Sequence, residues 1–226
     1  MPPTMRVCAA QFILLSALLI GCGKKAGDEI DFGGFARSVY TNKYFGLSVT
    51  VPSEWNIQDQ ESQKRIMSLG KKMVAGDDKN LKAALNASEL QTVNLLTAFK
   101  HPVGSPVPFN PNFMVMAEMV RQMPGIQRGK DYHFQVKKTL EAGQMQISFP
   151  KEDYTERLGG VEFDVMDQEM KIRGLTIKQR YCTTIKKGYA LSFILSFTTD
   201  EEEASLRKIV DTLTFNGAFV DAPIAR

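Results

Sequence analysis

The sequence predicts a single domain of the α+β class, in which helices pack on an antiparallel β-sheet. In several short segments apolar residues alternate with polar ones, as they do in half-buried strands. In other segments they recur every three or four residues, as in amphipathic helices. In the last third of the chain, predicted strands are separated by only two or three turn residues, which is typical of antiparallel hairpins.

The composition and charge are those of an ordinary globular protein. The 226 residues include 28 Lys and Arg against 25 Asp and Glu, and 43% of them are apolar. The apolar fraction is sufficient for a sizeable core. Because nucleic-acid binding needs clustered basic residues, the near-neutral balance predicts that the chain does not bind nucleic acid.

The N-terminus has the three parts of a secretory signal. A single basic residue, Arg6, precedes the apolar run 7–20, which is shorter than the ~20 residues that span a bilayer. The run ends in LIGC, residues 19–22, which resembles a bacterial lipobox. In such signals the cysteine thiol is joined to diacylglycerol, and the chain is then cut between Gly21 and Cys22. The alternative is an ordinary signal, or an uncleaved anchor, with a chance cysteine.

The sequence therefore predicts a signal peptide over residues 1–21 and a lipid anchor at Cys22. Residues 22–35 are rich in glycine and charge and predict a flexible tether with a reach of about 20 Å. The residue after Cys22 is Gly23. In enterobacteria, Asp at this position resembles a signal that retains a lipoprotein in the inner membrane, so its absence favours the outer membrane. The expected location is the bacterial cell envelope, with the lipid in the outer membrane and the domain facing the periplasm.

Predicted elements of the first half include two strands before Trp55 and two helices after it. The first helix, over residues 62–75, is expected to bury a stripe of four apolar side chains. In chain order the elements are a strand around Tyr40, a strand over residues 47–51, the helix with Ile66, Leu69, Met73 and Val74 inward, a short helix capped by Asp78, a strand over 90–100, a proline-rich loop over 101–108 and a strand over 113–119.

The second half predicts a helix over residues 130–142, a short strand over 145–149, and then consecutive hairpins. Arg173-Gly174 predicts a two-residue turn, and Lys186-Lys187-Gly188 predicts a three-residue turn that pairs Ile185 with Tyr189. The apolar face changes parity near Met166, which predicts a β-bulge. A capping-box pattern at Thr199 opens the last helix, and a short strand follows near residue 214.

The segment YFGLSVTVPSEW, residues 44–55, resembles the opening of PsbP-like proteins. The C-terminal run, a strand from Gly188 followed by an acid-capped helix and a Leu-Thr-Phe finish, resembles their ending. The group includes the photosystem protein PsbP, a Ran-binding nuclear import factor and bacterial DcrB-like lipoproteins. The resemblance implies one PsbP-like domain over residues 36–226, built as an α/β/α sandwich around a central antiparallel sheet. Members mostly dock onto larger assemblies without catalysis, and no partner-binding residue lies in the shared motif.

Residues that could carry chemistry are few and scattered. The two histidines, His101 and His133, lie far apart in sequence; they could meet around a metal with Asp131 or Glu141 nearby, but nothing in their spacing favours it. Cys182 is expected to be a small buried residue rather than a nucleophile. The sequence predicts no catalytic residues, no metal site and no cofactor.

Two further patterns have a chemical and a plainer interpretation. Glu162 and Asp164 share one face of a predicted strand. They could act as an acid–base pair, or they could be acids on a solvated face of the sheet. Residues 125–131 resemble a phosphate loop, but the glycine spacing is one residue short and Asp131 replaces the hydroxyl. Neither pattern changes the prediction of a non-catalytic domain.

Basic residues occur in pairs that could touch anionic lipid headgroups if they converged on one face. The pairs are Lys64-Arg65, Lys71-Lys72, Lys137-Lys138 and Lys186-Lys187. The expected function is a membrane-anchored periplasmic lipoprotein that serves as an interaction or assembly module for an envelope protein. The alternatives are a carrier that binds a small ligand between sheet and helices, and an enzyme of unrecognised type.

Overall fold

The computed structural model describes residues 30–172 and 174–216. The predicted signal peptide, the lipidation site at Gly21-Cys22, most of the tether and Arg173 of the predicted turn lie outside the described residues. Among the helices of the described chain, none combines the length and the apolar character that crossing a bilayer requires.

Twelve strands and four helices make up the described part of the chain. In chain order they are β1 (Gly34–Ala36), β2 (Val39–Asn42), β3 (Leu47–Thr50), β4 (Asn56–Ile57), α1 (Gln60–Ala75), α2 (Lys79–Glu89), β5 (Thr92–Phe99), β6 (Asn112–Met119), α3 (Gly129–Glu141), β7 (Gln146–Ser148), β8 (Tyr154–Leu158), β9 (Val161–Ile172), β10 (Leu175–Lys186), β11 (Tyr189–Phe197), α4 (Asp200–Val210) and β12 (Thr214–Phe215).

The strands form two sheets whose pairings are antiparallel. The large sheet has the order β4-β5-β6-β11-β10-β9-β7, with β8 also paired to β9, and the small sheet has the order β1-β2-β3-β12. The predicted α+β class with an antiparallel sheet is confirmed. The core lies where the middle of the large sheet is buried, with Phe113, Val115, Phe163 and Phe193 fully enclosed.

Helices cover both faces of the large sheet. Gly129, at the start of α3, lies against Thr183 and Asp164, whereas Arg180 on the same strand as Thr183 bonds Glu203 of α4. Successive side chains of a strand point to opposite faces, so residues 180 and 183 face opposite ways. The α/β/α arrangement that the resemblance implies is therefore present, with α3 and α4 in different layers.

The other elements fall into the same two layers. The carboxylate of Glu118 accepts hydrogen bonds from Ser88, on α2, and from Tyr132, on α3, at 2.7 Å each. The α1–α2 hairpin thus shares the layer of α3. The small sheet lies on the other side, because the ring of Phe215 packs against Phe163, which points to the α4 face.

The turn between β10 and β11 is one residue shorter than predicted. Lys186 pairs with Tyr189, so the predicted pairing of Ile185 with Tyr189 is wrong by one position. Lys187 and Gly188 both adopt positive φ, at 54° and 79°. Two consecutive left-handed residues make the tight turn whose twist matches that of antiparallel strands. Lys at such a position is uncommon, which is why the sequence favoured the longer turn.

The predicted β-bulge near Met166 is absent from the described pairing of β9 and β10. Their register runs unbroken from Ile172 opposite Leu175, as predicted for that hairpin, to Asp164 opposite Thr183. The parity change has another cause: both faces of β9 are covered, so Val165 and Met166 are both fully buried. The irregularity occurs instead in β5, between Asn94 and Leu96.

The predicted tether is shorter at its C-terminal end. Gly34 and Phe35 belong to β1, and the amide of buried Asn42 donates to the backbone oxygen of Asp31 at 2.6 Å. The compact domain begins at Asp31. A three-residue strand is too short to give an alternating pattern, so the sequence did not reveal it.

The predicted inner stripe of α1 is wrong in part. Leu69 and Met73 are 60% and 49% exposed, while the buried residues of this helix are Gln63 and Ala75. The amide of Gln63 donates to the backbone oxygen of Gln58 at 2.9 Å, which satisfies it at the buried N-terminal end. α1 therefore packs through polar and small residues and leaves part of its apolar side uncovered.

Candidate functional site

The α1–α2 hairpin presents exposed apolar side chains. Leu69 and Met73 lie one helical turn apart on α1, and Leu90, directly after α2, is 89% exposed. Scattered exposed apolar residues are normal on a protein, but neighbours on one helix face form a patch that water solvates poorly. These three residues are called the α1–α2 surface below.

Local hydrogen bonds hold the hairpin in shape. The carboxylates of Asp59 and Asp78 accept from the backbone N–H of the third helical residue of α1 and α2, at 2.7 and 2.9 Å. Between the helices, the Lys71 ammonium donates to Asn86 and forms an ion pair with Glu89. The α1–α2 surface is thus carried by capped and cross-linked helices rather than by a loop.

Basic side chains lie beside this surface. Lys71, Lys72 and Lys82 line a shallow cleft of about 210 Å³ between α1 and α2. Lys71 is paired with Glu89, whereas no carboxylate of the described chain lies within salt-bridge distance of Lys72 or Lys82. The surface therefore combines an apolar stripe with positive charge that the described domain does not neutralise.

The basic pairs identified in the sequence do not converge into one patch. Lys137 pairs with Asp153 and Lys138 lies over the ring of Phe134, both at α3. Lys187 lies over the ring of Tyr44, beside the small sheet and thus in the opposite layer from α1. Of the four pairs, Lys137-Lys138 adjoins the single exposed ring of Phe134, and the two pairs on α1 share the helix that exposes Leu69 and Met73.

His133 is the most deeply buried titratable group of α3. It is 0% exposed, its Nδ1 lies 2.9 Å from Asp153, and its Nε2 has no hydrogen-bond partner. Burial lowers the pKa of His133; the hydrogen bond that its ring donates to Asp153 and the charges of Asp153 and Asp164 oppose this, and the charge of Lys137 adds to it. The imidazole is therefore neutral near pH 7 and serves the packing of α3 on β9.

The lowered pKa of His133 predicts a loss of stability in mild acid. The unfolded chain protonates this imidazole near its ordinary pKa of about 6.5, while the folded chain resists. The free energy of unfolding should be constant above about pH 7.5 and should fall as the pH drops below about 6.5. Urea unfolding at a series of pH values measures this, and the His133→Gln variant should have a shallower pH dependence between pH 5 and 7.

The comparison variant is His101→Gln, in the proline-rich loop, and the acid sensitivity is assigned to His133 only if His133→Gln has the shallower slope of the two. Equal slopes for His133→Gln and the unaltered chain would show that His133 does not cause the acid sensitivity.

Arg128 contacts both of the acids that the sequence places on one strand face, Glu162 and Asp164. The guanidinium of Arg128 bonds Asp164 through two nitrogens, at 2.5 and 3.1 Å, and lies 3.8 Å from Glu162. Asp164 is 6% exposed, so the interpretation of solvated acids holds for Glu162 and is wrong for Asp164. A bidentate arginine–carboxylate pair anchors the start of α3 to β9.

The segment that resembles a phosphate loop is occupied by its own acid. The carboxylate of Asp131 accepts from the backbone N–H of Gln127 and of Arg128, each at 3.0 Å. These N–H groups lie directly before α3, and the acid of the segment itself occupies them. Asp131 therefore caps α3 instead of leaving a site for phosphate.

A second charged network lies between the large sheet and α4. Arg180 bonds Asp167 at 2.8 Å and Glu203 at 2.5 Å, and Lys151 contacts Asp167 at 2.7 Å. Burial acts to raise the pKa of Asp167, but the hydrogen bonds from Arg180 and Lys151 outweigh it and lower the pKa. These residues line a cleft of about 210 Å³ with Lys178 and Phe197. Because these charges are mutually paired, a ligand would have to break existing ion pairs to bind.

The cysteine and the two histidines that the sequence offered as a nucleophile or as metal ligands do not form a site together in the described residues. Cys182 is 1% exposed, and burial raises the pKa of its thiol to about 12, which leaves it protonated. The backbone of His101 bonds Asn110, whereas His133 bonds Asp153. Within residues 30–172 and 174–216, no group of three metal-ligating side chains is close enough to hold an ion.

Sequence analysis missed both arginine networks. Arg128 and Asp164 are 36 positions apart and no local pattern links them. The Arg180–Asp167 pair could have been found, because the predicted turn after Ile172 sets a register that places these two residues opposite each other.

Comparisons with known proteins bear on the fold. No model of a known protein family matches the chain, and no curated protein matches it. Among solved structures, it is similar to cyanobacterial PsbP (CyanoP) from Synechocystis sp. PCC 6803, with 12% identity, a TM-score of 0.49, and coverage of 81% of this chain and 95% of the other.

Two further solved structures are similar at lower scores. LpqN of Mycobacterium tuberculosis, described as involved in cell envelope biogenesis, is 14% identical over 74% of this chain and 82% of its own, with a TM-score of 0.36. PA94 of Pseudomonas aeruginosa, a putative regulator of unknown function, is 15% identical over 56% of this chain and 83% of its own, with a TM-score of 0.39. Such identities concern fold alone, so function has to be derived from the surface.

Proposed function

We propose that this chain is a lipid-anchored protein of the bacterial envelope whose domain docks a protein partner without catalysing a reaction. The α1–α2 surface carries the proposal, because Leu69, Met73 and Leu90 are exposed on a well-held hairpin. Lys72 and Lys82 beside it favour a partner with an apolar groove rimmed by carboxylates. Aliphatic anchors with a polar rim are typical of protein interfaces.

The two alternatives from the sequence have less support. Both clefts described above have volumes of about 210 Å³, below the ~300–1,000 Å³ usual for ligand pockets. Buried titratable groups such as His133 and Asp167 have partners that position α3 and α4. The geometry of these groups is explained by packing, so neither a small-molecule carrier nor an enzyme is the favoured function.

The lipid anchor rests on the lipobox at residues 19–22 and on the location of the domain boundary. Cys22 lies nine positions before Asp31, where the compact domain begins. A chain of that length reaches roughly 15–18 Å on average, on the scaling for flexible linkers. The domain would sit close to the bilayer, within the periplasm, as proposed for an outer-membrane lipoprotein.

Acylation is tested in cells with labelled palmitate. The unaltered chain should incorporate label, sediment with membranes and accumulate as a precursor when globomycin blocks the lipoprotein signal peptidase. The Cys22→Ala variant should take up no label. A chain whose mass and label are the same with and without Cys22 would contradict the anchor.

Docking is tested by photo-crosslinking in cells from a residue of the α1–α2 surface. A crosslinker at Met73 should capture one envelope protein reproducibly, and a crosslinker at exposed Lys208 of α4 should not. The Leu69→Asp variant should abolish the capture, and so should a change in the acidic rim of the captured protein. Equal capture from both positions, or capture unaffected by Leu69→Asp, would contradict a docking role for this surface.

A further inference from the structure

A second group of exposed apolar residues lies at the edge of the small sheet. Phe32, Phe35 and Val39 are 48%, 40% and 37% exposed. They belong to β1, β2 and the residues just before them, and β1 is the last strand of its sheet. These three residues, with the turn residue Arg37, are called the β1–β2 edge.

The chain is held firmly where it enters this edge. Tyr40, 2% exposed, donates its hydroxyl to the backbone oxygen of Phe32 at 2.7 Å, and buried Asn42 holds the backbone of Asp31. Gly33 has φ +71°, and a Cβ there would lie 2.5 Å from the Tyr40 hydroxyl. The phenyl rings therefore project from a fixed backbone rather than from a mobile terminus.

The β1–β2 edge is also the part of the domain that the proposed anchor keeps nearest to the membrane. The nine Cα-to-Cα steps from Cys22 to Asp31 span at most ~30 Å when fully extended, so Asp31 cannot move farther than that from an acylated Cys22. Phe32 follows Asp31 directly. The α1–α2 surface lies in the other layer, across the large sheet.

The chemistry of the edge suits the interfacial region of a bilayer. Membrane-surface segments combine Phe or Leu side chains, which enter the boundary between headgroups and acyl chains, with Arg or Lys that reach phosphates. Arg37 and Lys43 supply such charges, and no carboxylate of the described residues lies within salt-bridge distance of either. The carboxylate of Asp31 is exposed and accepts from the backbone N–H of Gly33 and of Lys43.

We propose that the β1–β2 edge binds the surface of the lipid bilayer, with Phe32 and Phe35 in the interfacial region and Arg37 and Lys43 at lipid phosphates. The inference rests on the proposed function only in placing a membrane nearby. Its consequence is orientation: the β1 edge of the small sheet lies at the membrane, and the α1–α2 surface, which belongs to the other layer, stays outside the bilayer.

The test supplies the anchor chemically. The chain from Cys22 onward is purified without lipid and coupled through the Cys22 thiol to vesicles of phosphatidylethanolamine and phosphatidylglycerol that contain a maleimide lipid. Cys182 is 1% exposed and does not compete for the maleimide. Trp55, the only tryptophan, is replaced by Phe. Single tryptophans are then introduced as Phe35→Trp and, as the matched control, Leu69→Trp.

Brominated acyl chains quench only tryptophans that enter the membrane. The Phe35→Trp chain should lose roughly twofold in fluorescence, as for a side chain ~5–10 Å into the interface, and its emission should shift to the blue. The Leu69→Trp chain should be unchanged. The proposal is overturned if Phe35→Trp is not quenched or if both variants are quenched equally. It is also overturned if the β1 edges of two copies of the chain pair with each other. Because the coupling does not depend on the cell, these outcomes hold even if palmitate labelling shows that Cys22 is not acylated.

Discussion

Replacing Arg180 with alanine is expected to lower the free energy of unfolding by about 3 kcal/mol. The Arg180 and Asp167 side chains are 15% and 13% exposed, and their ion pair at 2.8 Å joins β9 and β10. Removing the guanidinium leaves a largely buried carboxylate and also frees Glu203 of α4. The loss should lie at the lower end of the range for broken buried pairs, because Lys151 still contacts Asp167.

Urea unfolding measures this loss through the fluorescence of Trp55, which is 7% exposed. The matched control is Arg65→Ala, whose pair with Glu61 on α1 has side chains 62% and 82% exposed. Exposed helix pairs contribute only about 0.3–0.5 kcal/mol, so this control should be nearly as stable as the unaltered chain. Similar losses for Arg180→Ala and Arg65→Ala would contradict the importance of the buried network.

Replacing Gly129 with alanine is expected to cost about 2 kcal/mol in the free energy of unfolding. A Cβ at this position would clash with the backbone oxygen of Thr183 and lie 2.9 Å from the Cβ of Asp164. Backbone cannot yield as a flexible side chain does, so α3 would have to move away from the sheet. Overpacking of this kind costs ~1–3 kcal/mol, and the same shift would disturb the Arg128–Asp164 pair.

Gly125→Ala is the matched control, four residues away in the same connection. A Cβ there has open space around it, and the backbone of Gly125 does not require glycine. The added methyl should leave stability unchanged or raise it slightly, by up to about 1 kcal/mol through the unfolded state. If Gly125→Ala and Gly129→Ala unfold at the same urea concentration, the close approach of α3 to β10 does not limit stability.

The buried and the exposed variants should differ in their effect on the free energy of unfolding. Arg180 and Gly129 act inside the layers, whereas Leu69, Phe35 and Met73 are exposed and their replacement should leave the unfolding free energy within about 0.5 kcal/mol. A loss of crosslinking or of membrane contact in the exposed variants can therefore be assigned to the surface itself.

The sequence predicted the elements whose signal is local. The strand over residues 47–51 was visible from alternation, the strand around Tyr40 from the turn-prone residues 42–43 that follow it, and the start of α4 at Thr199 from its capping residues. Most boundaries of the longer elements agree with the structure within a few residues. The first hairpin register, with Ile172 opposite Leu175, also followed from turn chemistry alone.

The candidate site was only half visible from the sequence. The lysines of α1 were identified as possible contacts, but Leu69 and Met73 were assigned to the core because an apolar stripe on a helix is usually buried. Which side of α1 meets the sheet depends on the position of α2 and on the amide of Gln63, which bonds the chain before the helix. No periodicity contains that information.

The sequence by itself determined the class of fold and the antiparallel hairpins, and it predicts a lipobox at Cys22, because each depends on residues adjacent in the chain. Tertiary structure alone decided the one-residue register of the β10–β11 turn and the exposure of Leu69 and Phe35. It also decided the neutral burial of His133. These features arise where segments distant in sequence compete for the same space and the same hydrogen-bond partners, and that competition is resolved only when the layers pack together.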